Sequence, residues 1–79
     1  MEFKPERIKE IIAEQIGVKP SEIEMDSTFE DLGVDSLDAI EITMSIEEQF
    51  EVEIPDEVIE KVVSVRELAD YVENAVKPG

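Results

Sequence analysis

Apolar residues recur at helical spacing in several stretches of the chain. In Pro5–Ile16, the residues Ile8, Ile11, Ile12 and Ile16 fall on one face. Pro5 suits a first helical turn, where its missing N–H would be unpaired anyway. Gly17 follows as a C-terminal stop. A second helix is predicted from Asp35 or Ser36 to near Phe50, with Asp35 as N-cap and Asp38 placed to reach back as in a capping box. Pro55 and Asp56 open a short third helix through about Val62. The fourth runs from Val65 to about Val76, with Leu68, Ala69, Val72 and Val76 inward. Its start is marked by Ser64-Val65-Arg66-Glu67, a second capping box. Lys77-Pro78-Gly79 closes the pattern. Strand signals are weak: only Val52 and Ile54 alternate, and Pro55 interrupts them. The expected fold is therefore all-α, a four-helix bundle with a short third helix, filling residues 1–79 as a single domain.

The connection from Val18 to Asp35 is long for a compact domain. Lys19-Pro20-Ser21 marks a turn. Ile23, Met25, Phe29 and Leu32 are apolar enough to pin the loop to the core. Thr28 is placed to cap a short turn through Leu32, closed by Gly33.

The second helix carries two apolar faces. At about 100° per residue from Leu37, the residues Ala39, Ile42, Thr43, Ile46 and Phe50 fall between roughly 140° and 240°. That arc suits the core. Leu37, Ile40 and Met44 fall in a separate arc between roughly 300° and 360°. Either the small core wraps around the helix, or the second arc is exposed. Glu41, Glu47 and Glu48 flank it closely, and burying a stripe beside unpaired carboxylates is costly. Exposure is the expectation, and an apolar cluster rimmed by polar groups marks an interaction site.

Charge sharpens this picture. The chain of 79 residues has 22 acidic and 7 basic residues, a net charge of −15. Residues 1–19 and 61–79 balance their charges, whereas residues 20–60 hold acids and no base. Such a surface repels nucleic acid and anionic membranes and suits a basic partner or cations. No apolar run approaches the roughly 18 residues of a membrane span, and no basic start with an apolar stretch suggests a signal peptide. A cytoplasmic, monomeric domain is expected. Cysteine and histidine are both absent. Disulfides, thiol catalysis and the commonest general base are thereby excluded. The 42% hydrophobic content argues against a disordered acidic tail.

Leu32-Gly33-Val34-Asp35-Ser36-Leu37-Asp38 sets a serine at a helix start just after a glycine-ended loop. Alone, this is an ordinary cap. With Ala39-Ile40-Glu41-Ile42-Thr43-Met44-Ser45-Ile46-Glu47-Glu48-Gln49-Phe50 and then Glu53-Ile54-Pro55-Asp56-Glu57, it strongly resembles the acyl carrier proteins of discrete fatty-acid synthases. The resemblance runs from the first helix to Asp70-Tyr71-Val72.

That resemblance implies a four-helix bundle and a 4′-phosphopantetheine arm on Ser36, added from coenzyme A by a phosphopantetheinyl transferase. The arm's thiol would hold the growing acyl chain as a thioester in fatty acid biosynthesis, which suits a chain without cysteine. The family's partner-facing residues match Asp35, Leu37, Asp38, Ile40, Glu41, Met44, Glu47 and Glu48. The implied partners are fatty-acid synthase enzymes and acyltransferases with basic docking patches. The resemblance also suggests a sheltered acyl chain, with Ile46, Ile54, Ile59, Val62 and Leu68 as the expected cavity lining. A carrier of a polyketide or other specialised acyl pathway shares much of this pattern.

Other classes fit less well. The chain lacks the spaced acidic loop of an EF-hand, although surface binding of Mg²⁺ or Ca²⁺ is compatible with its carboxylates. No dedicated metal site is expected. Ser36 lies beside carboxylates only, with no nucleophile–base pair, so a stand-alone enzyme is not expected. A non-catalytic module with an acidic helix for a basic protein is the remaining rival.

Overall fold

In the computed structural model, which describes residues 3–76, four α-helices surround one apolar core: α1 (Pro5–Ile16), α2 (Ser36–Phe50), α3 (Asp56–Lys61) and α4 (Val65–Val76). Lys77-Pro78-Gly79 lies outside the described residues. Ile8 and Ile12 of α1, Ile42 and Ile46 of α2, and Val65, Leu68 and Val72 of α4 are essentially excluded from solvent. Ile16 is only partly buried, at the end of the α1 face. Burying a side chain of this kind contributes about 1.5–3 kcal/mol, and these β-branched and Leu residues form the bulk of the core. Phe3 packs on Phe50 with ring centroids 5.6 Å apart. Arg7 ties the exposed sides of α1 and α2 together, donating from Nε to the Gln49 side-chain oxygen at 2.8 Å.

The helix ends follow their local chemistry. Gly17 takes the left-handed conformation and donates its N–H to the Ala13 carbonyl, ending α1. The Asp35 side chain accepts the Asp38 amide at 2.8 Å. The reciprocal half of that expected box does not form: Asp38 instead accepts from Gln15 Nε2 of α1 at 3.4 Å. Around Ser64 the box is complete, each of Ser64 and Glu67 accepting the other's amide at 3.2 Å. The third helix ends one residue earlier than its apolar pattern suggests, at Lys61, with Val62 extended as C-cap.

The long connection is stitched down rather than loose. A short 3₁₀ turn spans Pro20–Glu22. Ile23 is buried, while Met25, Phe29 and Leu32 pack partly buried against the core. Backbone bonds then pair the loop with the entry to α4: Phe29 N–H to Val63 C=O at 2.9 Å, Val65 N–H to Ser27 C=O at 3.0 Å, and Arg66 N–H to Met25 C=O at 2.8 Å. This is the place where the loop's polar backbone groups are satisfied. Thr28 Oγ1 accepts the Asp31 amide at 3.0 Å, and Gly33, at φ 76°, closes the turn that delivers the chain to α2.

Candidate functional site

The site is built around the N-terminus of α2. Val34 donates its amide to the Phe29 carbonyl at 2.9 Å, which fixes the loop one residue before the N-cap. Asp35 is extended and serves as the N-cap, so Ser36 is the first helical residue, exposed at the protein surface. A hydroxyl here is reachable from outside. The positive end of the helix dipole and its free amides also favour a phosphate on it.

Ser36 also stands at the edge of a cleft of about 460 Å³. From α2 the cleft takes Ala39, Ile40, Ile42 and Thr43, from the preceding loop Phe29 and Val34, and from α4 Leu68. Ile59 and Val62 form the opposite side, and the exposed Asp35, Asp56 and Glu60 supply its acidic rim. Thr43 is the polar residue buried in the wall; its hydroxyl donates to the Ile40 carbonyl at 2.8 Å. Of the residues expected in a cavity, Ile59, Val62 and Leu68 line the cleft. Ile46 and Ile54 do not. They are 0% and 5% exposed, packed into the core beside it. Periodicity counts apolar positions without saying which side of α2 opens toward α3, so it could not separate core from cleft wall. Thr43 was missed for the same reason, and Phe29 and Val34 because the path of the loop before α2 is set by backbone bonds that leave no trace in the side-chain pattern. The only signal available was a loop Phe-to-Val pair just before the serine and one hydroxyl in an apolar arc.

The second arc of α2 is open to solvent: Leu37 is 65%, Ile40 48% and Met44 59% exposed. The core therefore does not wrap around the helix. The carboxylates around this arc are not equivalent. Glu48 and Asp35 are exposed. Glu41 accepts from Gln15 Nε2, which also reaches Asp38, so α1 holds two of the rim acids in place. Glu47 is half-buried and accepts the Ile54 amide at 2.8 Å. Among the described residues, no three acidic side chains gather as a group that could hold a metal ion.

An exposed serine at a helix N-terminus, beside an apolar cleft and an acid-rimmed apolar face, finds its match in known proteins. Residues 6–72 match the family described as the phosphopantetheine attachment site. The chain belongs to this family, the acyl carrier proteins. The carrier is similar to an acyl carrier protein from Thermotoga maritima, at 34% identity over 89% of this chain and 82% of that one, with a TM-score of 0.77. It is also similar to the acetyl actinorhodin acyl carrier protein of Streptomyces coelicolor. That match has 31% identity over 94% of this chain and 91% of the other, and a TM-score of 0.80. A third structure, the 3,5-dioxohexyl carrier of the actinorhodin polyketide synthase of the same organism, is 29% identical with a TM-score of 0.79. It covers 96% of this chain and 93% of its own.

The prosthetic group of this family is 4′-phosphopantetheine. The structure suits it: a phosphodiester needs an accessible hydroxyl, and a long arm with an apolar cargo needs an apolar groove within reach. A carrier domain of this kind is not itself catalytic, and it works with a phosphopantetheinyl transferase and with synthase enzymes.

Proposed function

We propose that Ser36 carries the 4′-phosphopantetheine arm and that the protein shuttles growing acyl chains of fatty acid biosynthesis as thioesters on that arm. The observation that carries this is the position of Ser36: exposed, first in α2, and on the edge of the 460 Å³ cleft. The arm supplies the thiol that holds the acyl group, since the chain has no cysteine. The carrier's own residues orient and shelter. The α2 N-terminus favours the phosphate, Ile59, Val62 and Leu68 take the acyl chain out of water, and Leu37, Ile40 and Met44 dock partner enzymes. Asp35, Asp38, Glu41, Glu47 and Glu48 surround that docking face with negative charge. It suits the basic patches of fatty-acid synthase enzymes and acyltransferases. We place this work in the cytoplasm and on a monomer.

A polyketide pathway is the alternative, and two of the similar structures come from a polyketide carrier. The fatty-acid reading draws on the apolar wall of the cleft, which suits a fully reduced chain, and on the confinement of acids without a base to residues 20–60. The test is reconstitution. The holo protein is given malonyl groups and either a fatty-acid set of condensing and reducing enzymes or a polyketide condensing enzyme. Elongated, saturated chains bound as thioesters are expected with the first set. Turnover with the second set alone would assign the polyketide role.

A further inference from the structure

Among the described residues, Thr43 is the one polar side chain that is buried, in an interior otherwise made of Ile, Val, Leu, Ala and Phe. Its hydroxyl donates to the Ile40 carbonyl at 2.8 Å. That bond occupies the hydroxyl hydrogen, but bonding back to the preceding turn does not strengthen a helix. A valine, with the same shape and a similar helix propensity, would fill the space and leave no polar atom to satisfy. The wall of the cleft thus carries a hydroxyl that packing does not require.

Its place along the cleft is equally specific. Ser36, Ala39, Ile40 and Thr43 all line the cleft, at the spacing of one helix face. Thr43 follows Ser36 by seven residues, which is two turns, or about 10 Å, further along α2. Ala39 between them adds only a methyl group. The buried lining residues are Ile42, Thr43 and Leu68, and of these Thr43 alone has a side-chain oxygen. The carboxylates of Asp35, Asp56 and Glu60 stay at the exposed rim, where water competes for them. With its hydrogen committed to Ile40, the Thr43 oxygen keeps its capacity to accept. The complementary group is therefore a donor. A hydroxyl fits. A ketone, which only accepts, fits only if the bond to Ile40 breaks.

We infer that Thr43 is a specificity-determining residue of the cleft, whose hydroxyl oxygen accepts a hydrogen bond from the 3-hydroxyl of a 3-hydroxyacyl cargo. Extending a chain by two-carbon units leaves an oxygen on carbon 3, first as a carbonyl and, after reduction, as a hydroxyl. A wholly apolar wall would exclude both, because a polar group buried without a partner is costly. Thr43 admits the 3-hydroxy stage and leaves the 3-oxo stage without a donor. The inference rests on the proposed sheltering of an acyl chain in this cleft, and adds which stage of the growing chain the wall recognises.

The test uses the full chain as wild type, Thr43→Val and Thr43→Ser. Each is loaded with octanoyl, 3-oxooctanoyl or either enantiomer of 3-hydroxyoctanoyl groups, with acetyl as the unsheltered reference. Thioester cleavage by hydroxylamine is timed. Each variant is compared with wild type carrying the same cargo, so the intrinsic reactivity of the thioesters cancels. Thr43→Val is expected to speed cleavage of at least one 3-hydroxyoctanoyl enantiomer about two- to tenfold, with octanoyl and 3-oxooctanoyl near or below their wild-type rates. Thr43→Ser keeps the hydroxyl and should retain the wild-type ratio of 3-hydroxyoctanoyl to octanoyl cleavage. An equal change for every cargo would make Thr43 a space-filling residue and overturn the inference. So would a 3-oxooctanoyl response as large as the 3-hydroxyoctanoyl one, because the hydroxyl would then be donating. Melting curves of the unloaded variants check their folding. If Thr43→Val melts lower, NMR of the wild type decides: the Thr43 hydroxyl and methyl signals should differ between octanoyl and 3-hydroxyoctanoyl forms, and identical signals overturn the inference. Octanoyl cleaved as fast as acetyl in wild type would instead sink the sheltering itself, and the inference with it.

Discussion

Glu48→Lys is the cleanest probe of the docking face. Glu48 is exposed, whereas Glu41 and Glu47 accept hydrogen bonds from Gln15 and Ile54, so replacing either would also disturb the fold. An exposed ion pair contributes about 0.2–1 kcal/mol, and the substitution replaces attraction by repulsion. The loss in kcat/KM for loading by the transferase should be about two- to tenfold at low salt. At 1 M salt the screening length falls to about 3 Å, and the loss should nearly vanish. Leu37→Ala provides the apolar counterpart. Full burial of such a side chain is worth about 1.5–3 kcal/mol, and 65% of Leu37 remains to be covered by a partner. Its loss should therefore be about five- to thirtyfold and insensitive to salt. Glu6→Lys on α1 is the charge-matched control. Glu10 is unsuitable because it pairs with Arg7 at 2.8 Å. The assay is steady-state transfer from coenzyme A across a salt series, with melting curves to confirm equal stability. Equal slowing by Glu48→Lys and Glu6→Lys would reduce the effect to net charge and refute the docking face.

Three further outcomes are expected. Glu51 holds a left-handed conformation at φ 55°, which costs a side-chain-bearing residue about 1–2 kcal/mol. Glu51→Gly should stabilise by about 1 kcal/mol over the equally charged Glu51→Gln, or roughly 4–8 °C in Tm, and equal melting of the two variants would contradict this. Crowded acids in residues 20–60 repel one another, so NaCl or millimolar Mg²⁺ should raise Tm, and a Tm indifferent to both would reject self-repulsion. An octanoyl chain should slow amide exchange in α2 and α3 relative to the holo form, because each buried methylene contributes about 0.8 kcal/mol. Identical protection of the two forms would argue against an occupied cleft.

The helices were legible in the sequence because their ends carry specific chemistry. Gly17, the Asp35 cap and the Ser64–Glu67 box fix boundaries that apolar spacing alone leaves loose. The two faces of α2 were legible because its period separates them cleanly, and the exposure of Leu37, Ile40 and Met44 follows that separation. Three things were not legible. The path of the loop depends on backbone pairing with α4, through Phe29, Val65 and Arg66, which leaves no trace in side-chain pattern. The cleft depends on how far α3 stands from α2, so Ile46 and Ile54 looked like lining and proved to be core. The tether from Glu47 to Ile54 crosses seven residues of chain and depends on the left-handed turn at Glu51. A glutamate beside other glutamates gives no hint that one of them faces inward.

The central claim is that Ser36 alone takes the 4′-phosphopantetheine arm. The protein and its Ser36→Ala variant are each incubated with a phosphopantetheinyl transferase, Mg²⁺ and coenzyme A, then weighed intact and mapped by peptide mass. Wild type should gain one phosphopantetheine, confined to the peptide holding Asp35-Ser36-Leu37. Ser36→Ala should keep its melting temperature and gain none. An arm found on Ser21, Ser27, Ser45 or Ser64, or undiminished loading of Ser36→Ala, would contradict the account.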